Sequence, residues 1–184
     1  MRQRYTQVAA ALHWVMALII MANLAGGFVL DTLRASSDPE FKALARTFIF
    51  IHKALGISVI VLTLVRIGWR LGHMPPQLPA HMTPLERRLS GAVHLGFYAL
   101  MLALPLTGWA MSSARVNAGP VSMFGLFDVP PLPVPGVFGG VFGQGHELLG
   151  WVMLAMLALH VLAVEKHQVL DRDDLIGRML PWRR

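Results

Sequence analysis

Long apolar runs separated by short basic or proline-rich segments dominate the chain. No Asp, Glu, Lys or Arg occurs from Tyr5 to Leu30 or from Leu89 to Ala114, and each run exceeds the roughly 20 residues that cross about 30 Å of hydrocarbon. The pattern predicts four membrane-spanning helices, at about 8–30, 48–69, 90–111 and 144–164, with ends uncertain by a few residues. The second carries Lys53 and Arg66 near its two ends, where long basic side chains can reach the interface. The expected fold class is an all-α integral membrane protein, a four-helix bundle in one domain spanning 1–184. The first block is too long for a signal-peptide core and lacks a small-residue exit, so it is expected to remain as an anchor.

The connections differ in character. Residues 31–46 read as a short mixed-charge link with a helix-start signal at Ser37, Asp38 and Pro39, whereas 72–86, with Pro75, Pro76, Pro79 and Pro84, should be extended. Residues 112–143 are rich in Pro and Gly, and a loop of that length is commonly functional or a lid. Basic residues set the expected orientation: eleven, from Arg2 and Arg4 to Arg183 and Arg184, flank one side, against Arg34, Lys42, Arg46, Lys53 and Arg115 on the other. The richer side is cytoplasmic, which puts both termini inside the cell and the 112–143 loop outside.

Composition narrows the chemistry. Hydrophobic residues make up 55% and charged residues 14% of the 184, with a mean hydropathy of +0.55, far from a soluble domain. The net charge of +6 is explained by lipid headgroups, because no basic-aromatic reading module for nucleic acid is present. The absence of Cys excludes disulfides, thiolate-bound zinc, cysteine-held iron–sulfur clusters and covalent c-type haem. Eleven Met residues are scattered without a repeated Met-x-x-Met box, so soft core packing explains them better than copper handling.

Four of the eight histidines lie at paired depths in the expected bundle, and an ionisable side chain inside a span is costly enough to imply a role. His146 and His160 are 14 residues apart, a step that returns to one helix face within about 40° and rises about 21 Å. The second helix enters from outside, so His52 falls level with His146; the first enters from inside, so His13 falls level with His160. Two facing imidazoles suit a bis-histidine b-type haem, each giving low-spin iron one axial bond, and electron transfer follows as the task. Zinc would want three or four ligands near one point, and histidines bonded to neighbouring helices are the purely structural alternative.

The surroundings extend this reading. His52 and His146 both open an H-x-x-L-G motif ending in Gly56 and Gly150; a Gly one turn on leaves room for a porphyrin face, although it equally permits close helix packing. The 14-residue step from His52 reaches Arg66, from His13 Gly27, and from His94 Gly108. Gly therefore gives room at the outer level, and Arg66 can pair with a haem propionate at the inner one. His94, at the inner level without a partner of its own, can bond a quinone carbonyl, substitute as a ligand or bond another helix. His73, His81 and His167 are expected to be solvated loop histidines. Pro105 should kink the third helix and free the carbonyl of Met101. Lys53 and Arg115 would give an approaching anion a positive outer face, or are ordinary interfacial cations.

In order and spacing the chain resembles the bacterial cytochrome b561 family over nearly its full length. The resemblance is carried by Leu12-His13-Trp14, Ile51-His52-Lys53 with Gly56, Val65-Arg66, His94 with Ala103-Leu104-Pro105-Leu106-Thr107-Gly108, His146-Glu147 with Gly150, and Leu159-His160. It implies a bacterial inner-membrane protein with two haems b, one held by His13 with His160 and one by His52 with His146, delivering electrons to a membrane ubiquinone. Within that family it looks most like the superoxide oxidase branch, which oxidises superoxide at the outer face, on the strength of Ser112-Ser113-Ala114-Arg115, Asn117 and Phe124-Gly125-Leu126. The other reading is a cytochrome b anchor subunit relaying electrons between a partner dehydrogenase or hydrogenase and the quinone pool.

Overall fold

The first three long helices start where a side chain or a proline resolves their unpaired first-turn N–H groups. In the computed structural model, which describes residues 4–79 and 81–180, α1 covers Gln7–Ala35 and is capped by Thr6, whose Oγ1 accepts from the N–H of Ala9 at 3.2 Å. α2 covers Pro39–Gly72, with Asp38 accepting from the N–H of Glu40 at 2.8 Å and Pro39 in the first turn. α3 covers Pro84–Ser113 behind a capping box in which Thr83 and Glu86 satisfy each other's backbone N–H groups. α4 covers Gly139–Glu165 and continues through a π-helical turn at Lys166–Leu170; a single turn, α5, follows at Leu175–Arg178.

Four of these helices are long and apolar enough to cross a membrane, and they run past the spans that hydropathy predicts. The expected link at 31–46 is almost entirely helical: only residues 36–38 separate α1 from α2. The start signal at Asp38 and Pro39 was therefore the informative feature, and α2 begins there rather than near Phe48. At 34 residues, α2 is about 51 Å long, so its first turns and the end of α1 project beyond hydrocarbon. They hold together through Leu30, Leu33 and Ala45 against Phe48 and Ile49. Of the segment 72–86, residues 74–79 carry neither helix nor strand, while Gly72 closes α2 and α3 already begins at Pro84. Arg2, Arg183 and Arg184, which enter the charge count, lie outside the described residues.

The 112–143 segment is folded, not a free loop. It forms an antiparallel hairpin of β1 (Val121–Met123) and β2 (Phe127–Val129), pairing Val121 with Val129 and Met123 with Phe127. Phe124 at φ 55° and Gly125 at φ 79° turn it, with Leu126 N–H donating to Met123 O at 3.0 Å; two left-handed central residues suit the twist of a hairpin. Val121 and Met123 pack on Ala54 and Ile57 of α2 beside Trp109. Leu132 N–H donates to Ser113 Oγ at 2.9 Å, tying the return strand to the end of α3.

α1 packs on α2, α2 on α3, and α3 on α4. α4 meets α1 through side chains, among them Phe28 and Trp151 with ring centroids 4.7 Å apart. Halfway along the bundle Met16, Val59, Leu100, Met101 and Met153 form the buried core, with Ile20 packed on it. Val59, Met101, Met153 and Ile20 each stand seven residues from a histidine on their own helix, namely His52, His94, His146 and His13. A seven-residue step drifts by only about 20° around a helix, so the core layer and the histidines share one seam. The other faces carry exposed Leu18, Leu64, Leu95, Leu148 and Leu159, as expected for lipid contact.

Met153 is 1% exposed, and its truncation removes packing that no water can replace. Met153→Ala is expected to destabilise the bundle by about 2–5 kcal/mol, read as an earlier unfolding midpoint of the detergent-solubilised protein.

Candidate functional site

Two pairs of imidazoles occupy the two ends of the seam. His52 on α2 and His146 on α4 have ring centroids 6.0 Å apart, inclined at 85°. His13 on α1 and His160 on α4 lie 6.4 Å apart, inclined at 61°. A single metal ion between two ring nitrogens, with bonds of about 2 Å and each nitrogen about 1 Å from its centroid, requires a separation of about 6 Å. Both pairs have that spacing.

At the His52 level the surroundings are small by necessity. A Cβ on Gly108 would stand 2.8 Å from His146 Cε1 and 3.0 Å from its Nδ1, and one on Gly27 would stand 3.3 Å from His52 Cε1. The helices opposite each ring thus offer Gly where any side chain would push the imidazole out of line. His146 Nδ1 lies 2.9 Å from the carbonyl of Leu104, which also accepts from Thr107 Oγ1 at 2.7 Å. That bond assigns the ring proton to Nδ1 and leaves Nε2 as a lone pair, the tautomer a metal ligand needs. The sequence expectation at Pro105 was a freed Met101 carbonyl; the carbonyl that His146 engages is that of Leu104, immediately before Pro105. His52 Nδ1 is buried without a hydrogen-bond partner among the described residues, while Asn23 Nδ2 donates to the His52 carbonyl at 3.2 Å.

A Cβ on Gly56 would stand 3.7 Å from Pro105 Cβ and 3.9 Å from Asn23 Nδ2, an ordinary contact, whereas one on Gly150 would meet nothing within 4 Å. Lys53 adjoins the pair and lies within electrostatic range of Arg115 and Arg34; both arginines are exposed and Lys53 is partly so.

The His13 level is more polar. Arg66 Nε donates to Tyr98 Oη at 3.3 Å, and its Nη2 stands 3.4 Å from His13 Nδ1. The Arg70 guanidinium lies 5.8 Å above the Tyr98 ring. His94 is not isolated: its ring is 6.1 Å from His160, and its Nδ1 stands 2.6 Å from the carbonyl of Ser90. Phe97 packs edge-on at 5.4 Å to His160. The remaining histidines depart from expectation in one respect. His81 is exposed and His73 stacks on Trp69 at 3.9 Å, but His167 is 9% exposed, buried where the π turn tucks its side chain under the bundle. Asp171 and Asp173, close in sequence, flank its ring, and Glu86 approaches from the start of α3.

Such a constellation defines a helical membrane protein with paired, inward-facing histidines. A family model described as prokaryotic cytochrome b561 matches residues 4–182. Similar proteins include cytochrome b561 homolog 2 of Escherichia coli (strain K12), 33% identical over 180 residues covering 97% of this chain and 92% of that one. Cytochrome b562 of Cereibacter sphaeroides is 26% identical over 96% of this chain and 94% of its own. The probable superoxide oxidase CybB of Yersinia pestis is 24% identical over 100% and 99%. The chain belongs to the prokaryotic cytochrome b561 family, multi-pass membrane proteins of redox function that bind b-type haem. The unpartnered His52 nitrogen, the 6 Å ring spacings and the glycine cradles fit that group.

Gly108→Val is expected to displace the His146 ring and lower the amount of b-type haem retained per polypeptide, measured as the pyridine haemochrome. Gly91→Ala, at an exposed site where a Cβ meets nothing within 4 Å, should leave that amount unchanged.

Proposed function

We propose that this chain is a transmembrane di-haem b-type cytochrome, a superoxide:ubiquinone oxidoreductase, that takes single electrons from superoxide at the outer face and delivers them to ubiquinone in the membrane. The observation that carries the reading is the pair of histidine couples at two depths, with α4 supplying one ring to each. In this reading His52 and His146 hold one haem and His13 and His160 the other. Bis-histidine haem supplies reversible one-electron transfer with no coordination position left for oxygen chemistry.

The orientation follows the basic flanks, placing the His52 end outside and both termini in the cytoplasm of a bacterial cell. Arg34, Lys53 and Arg115 then form a positive patch beside the outer couple, which raises the encounter rate of a small anion. Superoxide surrenders one electron and leaves as dioxygen; two such electrons and two protons convert ubiquinone to ubiquinol. No nucleophile or general base is needed at the outer face. At the inner level Arg66, held by Tyr98, is the counter-ion for a propionate. His94 spends its Nδ1 proton on Ser90, so its Nε2 is an acceptor for a quinol hydroxyl. The relative named a probable superoxide oxidase, aligned over the whole chain, supports the choice of donor.

The second reading is an anchor subunit that relays electrons between a partner dehydrogenase or hydrogenase and the quinone pool. Exposed Leu126 and Phe127 on the hairpin favour it, as apolar groups for a partner to cover. Purified protein exposed to an enzymatic superoxide source is expected to reduce added ubiquinone with no other polypeptide present. Intact spectra without reduction under that flux would favour the subunit reading.

Two substitutions test the parts. Lys53→Glu together with Arg115→Glu should slow reduction by superoxide about tenfold or more at low salt and flatten its dependence on ionic strength, in stopped-flow absorbance. Arg66→Ala should lower the midpoint potential of the His13/His160 haem more than that of the other, because removing a nearby cation disfavours the reduced form; a redox titration reads both.

A further inference from the structure

The β1–β2 hairpin packs on a surface of α2 that is turned away from the paired rings. Ala54 and Ile57, against which Val121 and Met123 rest, stand about 160° and about 140° round the helix from His52. They head a single stripe, because Ala54, Ile57, Val61 and Leu64 recur at the i, i+3, i+7 spacing of one helix face. Ala54 and Ile57 are buried under the hairpin, whereas Val61 and Leu64, farther along the same stripe, are exposed, as a lipid-facing surface is. The hairpin thus occupies the end of a face that hydrocarbon covers over the rest of its length.

The small sheet is itself two-sided. Residues paired across an antiparallel ladder project from the same face, so Val121 with Val129 and Met123 with Phe127 make one face, and Ser122 with Asp128 the other. Val121 and Met123 rest on α2, but Phe127, on the same apolar face, is 61% exposed, and Leu126 beside it 83%. The apolar face therefore runs past the protein that supports it, while Asp128 is exposed on the polar face. Phe124 is exposed too, at φ 55°, an aromatic ring held at a turn position that glycine would occupy without strain. Lys53, adjoining Ala54, and Arg115, in the segment leading into β1, lie within electrostatic range of each other and supply the charge that phosphate headgroups attract.

We propose that the 121–129 hairpin is an interfacial anchor: Phe124, Leu126 and Phe127 dip into the acyl chains of the leaflet at the His52 end, with Ser122 and Asp128 turned to water. Amphipathic elements seat their apolar side about 5–10 Å into the boundary between headgroups and acyl chains, and the hairpin rests on Ala54 and Ile57, which fall inside the span that hydropathy predicts at 48–69. Lipid is favoured over a polypeptide as the occupant because the overhanging groups adjoin the stripe that Val61 and Leu64 already present to hydrocarbon. The seat also holds Lys53 and Arg115 at the level of the headgroup phosphates, which fixes the height of the bundle in the membrane.

The chain has no Cys, so one introduced thiol can carry a nitroxide label in the full-length, haem-loaded protein. Leu126→Cys, Phe127→Cys, Asp128→Cys and, as a lipid reference, Leu64→Cys are labelled separately and placed in vesicles of phosphatidylethanolamine and phosphatidylglycerol. Power-saturation electron paramagnetic resonance then compares collisions with dioxygen, which concentrates among acyl chains, and with a water-soluble nickel chelate. The ratio of dioxygen to nickel collisions is expected to be at least about threefold higher at positions 126 and 127 than at 128, approaching that at 64, with the haem absorption spectrum unchanged in all four. Should Leu126→Cys fail to retain haem, Phe127→Cys decides alone. A ratio at 126 and 127 no higher than at 128 puts the hairpin in water, open to a partner polypeptide, and overturns the proposal. Shielding of both positions from both reagents overturns it too, since a second copy of the chain would then be the cover.

Discussion

A neutral imidazole has one nitrogen that must donate and one that must accept, and hydrocarbon offers a partner to neither. Placing five histidines along the inside of a lipid-crossing bundle is stable only if each finds another protein group or a bound metal. That requirement organises the molecule. His146 spends its proton on the Leu104 carbonyl and His94 on that of Ser90, while His52 Nδ1 has no hydrogen-bond partner among the described residues. Small residues appear where those rings need room, at Gly27 and Gly108, and the bulky side chains Met16 and Met153 fill the layer between the two levels. Packing and cofactor chemistry thus make the same demand on the same face of every helix.

The two ends of the bundle solve different electrostatic problems. Around His52 the charged neighbours are cations, Lys53 with Arg34 and Arg115, which repel one another and so favour any anion that comes between them. Around His13, Arg66 is restrained by Tyr98, and beyond it the chain gathers Glu86, Asp171 and Asp173 about a single lysine and two histidines. Beside the His52 couple stand three cations, and beneath the His13 couple Lys166 closes an ion-pair network with Glu86 and Asp171.

What the sequence made legible was whatever obeys a helical period. The four long helices, the pairing of His52 with His146 and of His13 with His160, and the glycines opposite the rings all follow from counting residues at 3.6 per turn. Hydropathy misjudged where helices end, because it reports contact with lipid; the end of α1 and the start of α2 stay helical in polar surroundings through their caps and through Leu33 and Ala45. The hairpin at 121–129 was hidden because its strands are three residues long and rest on Ala54 and Ile57, far away in sequence. His167 looked like a solvated histidine because the residues around it are polar, whereas the π turn at Lys166–Leu170 sets its ring 2.7 Å from Asp171 and 3.5 Å from Asp173. His94 seemed unpaired because depth alone does not say which way a ring turns.

The seven-residue cadence that runs from His146 through Met153 to His160 has a consequence for how this protein can vary in length. Adding or deleting a single residue between the two rings would rotate one of them by about 100° relative to the other and aim it at lipid, whatever the chemistry of the inserted side chain. Only insertions close to a whole number of helical turns preserve the alignment, and one of seven residues would move the levels apart by about 10 Å, a gap that electrons would cross far more slowly. The interval between the two levels is therefore quantised, while the connecting segments outside the bundle remain free to lengthen or shorten.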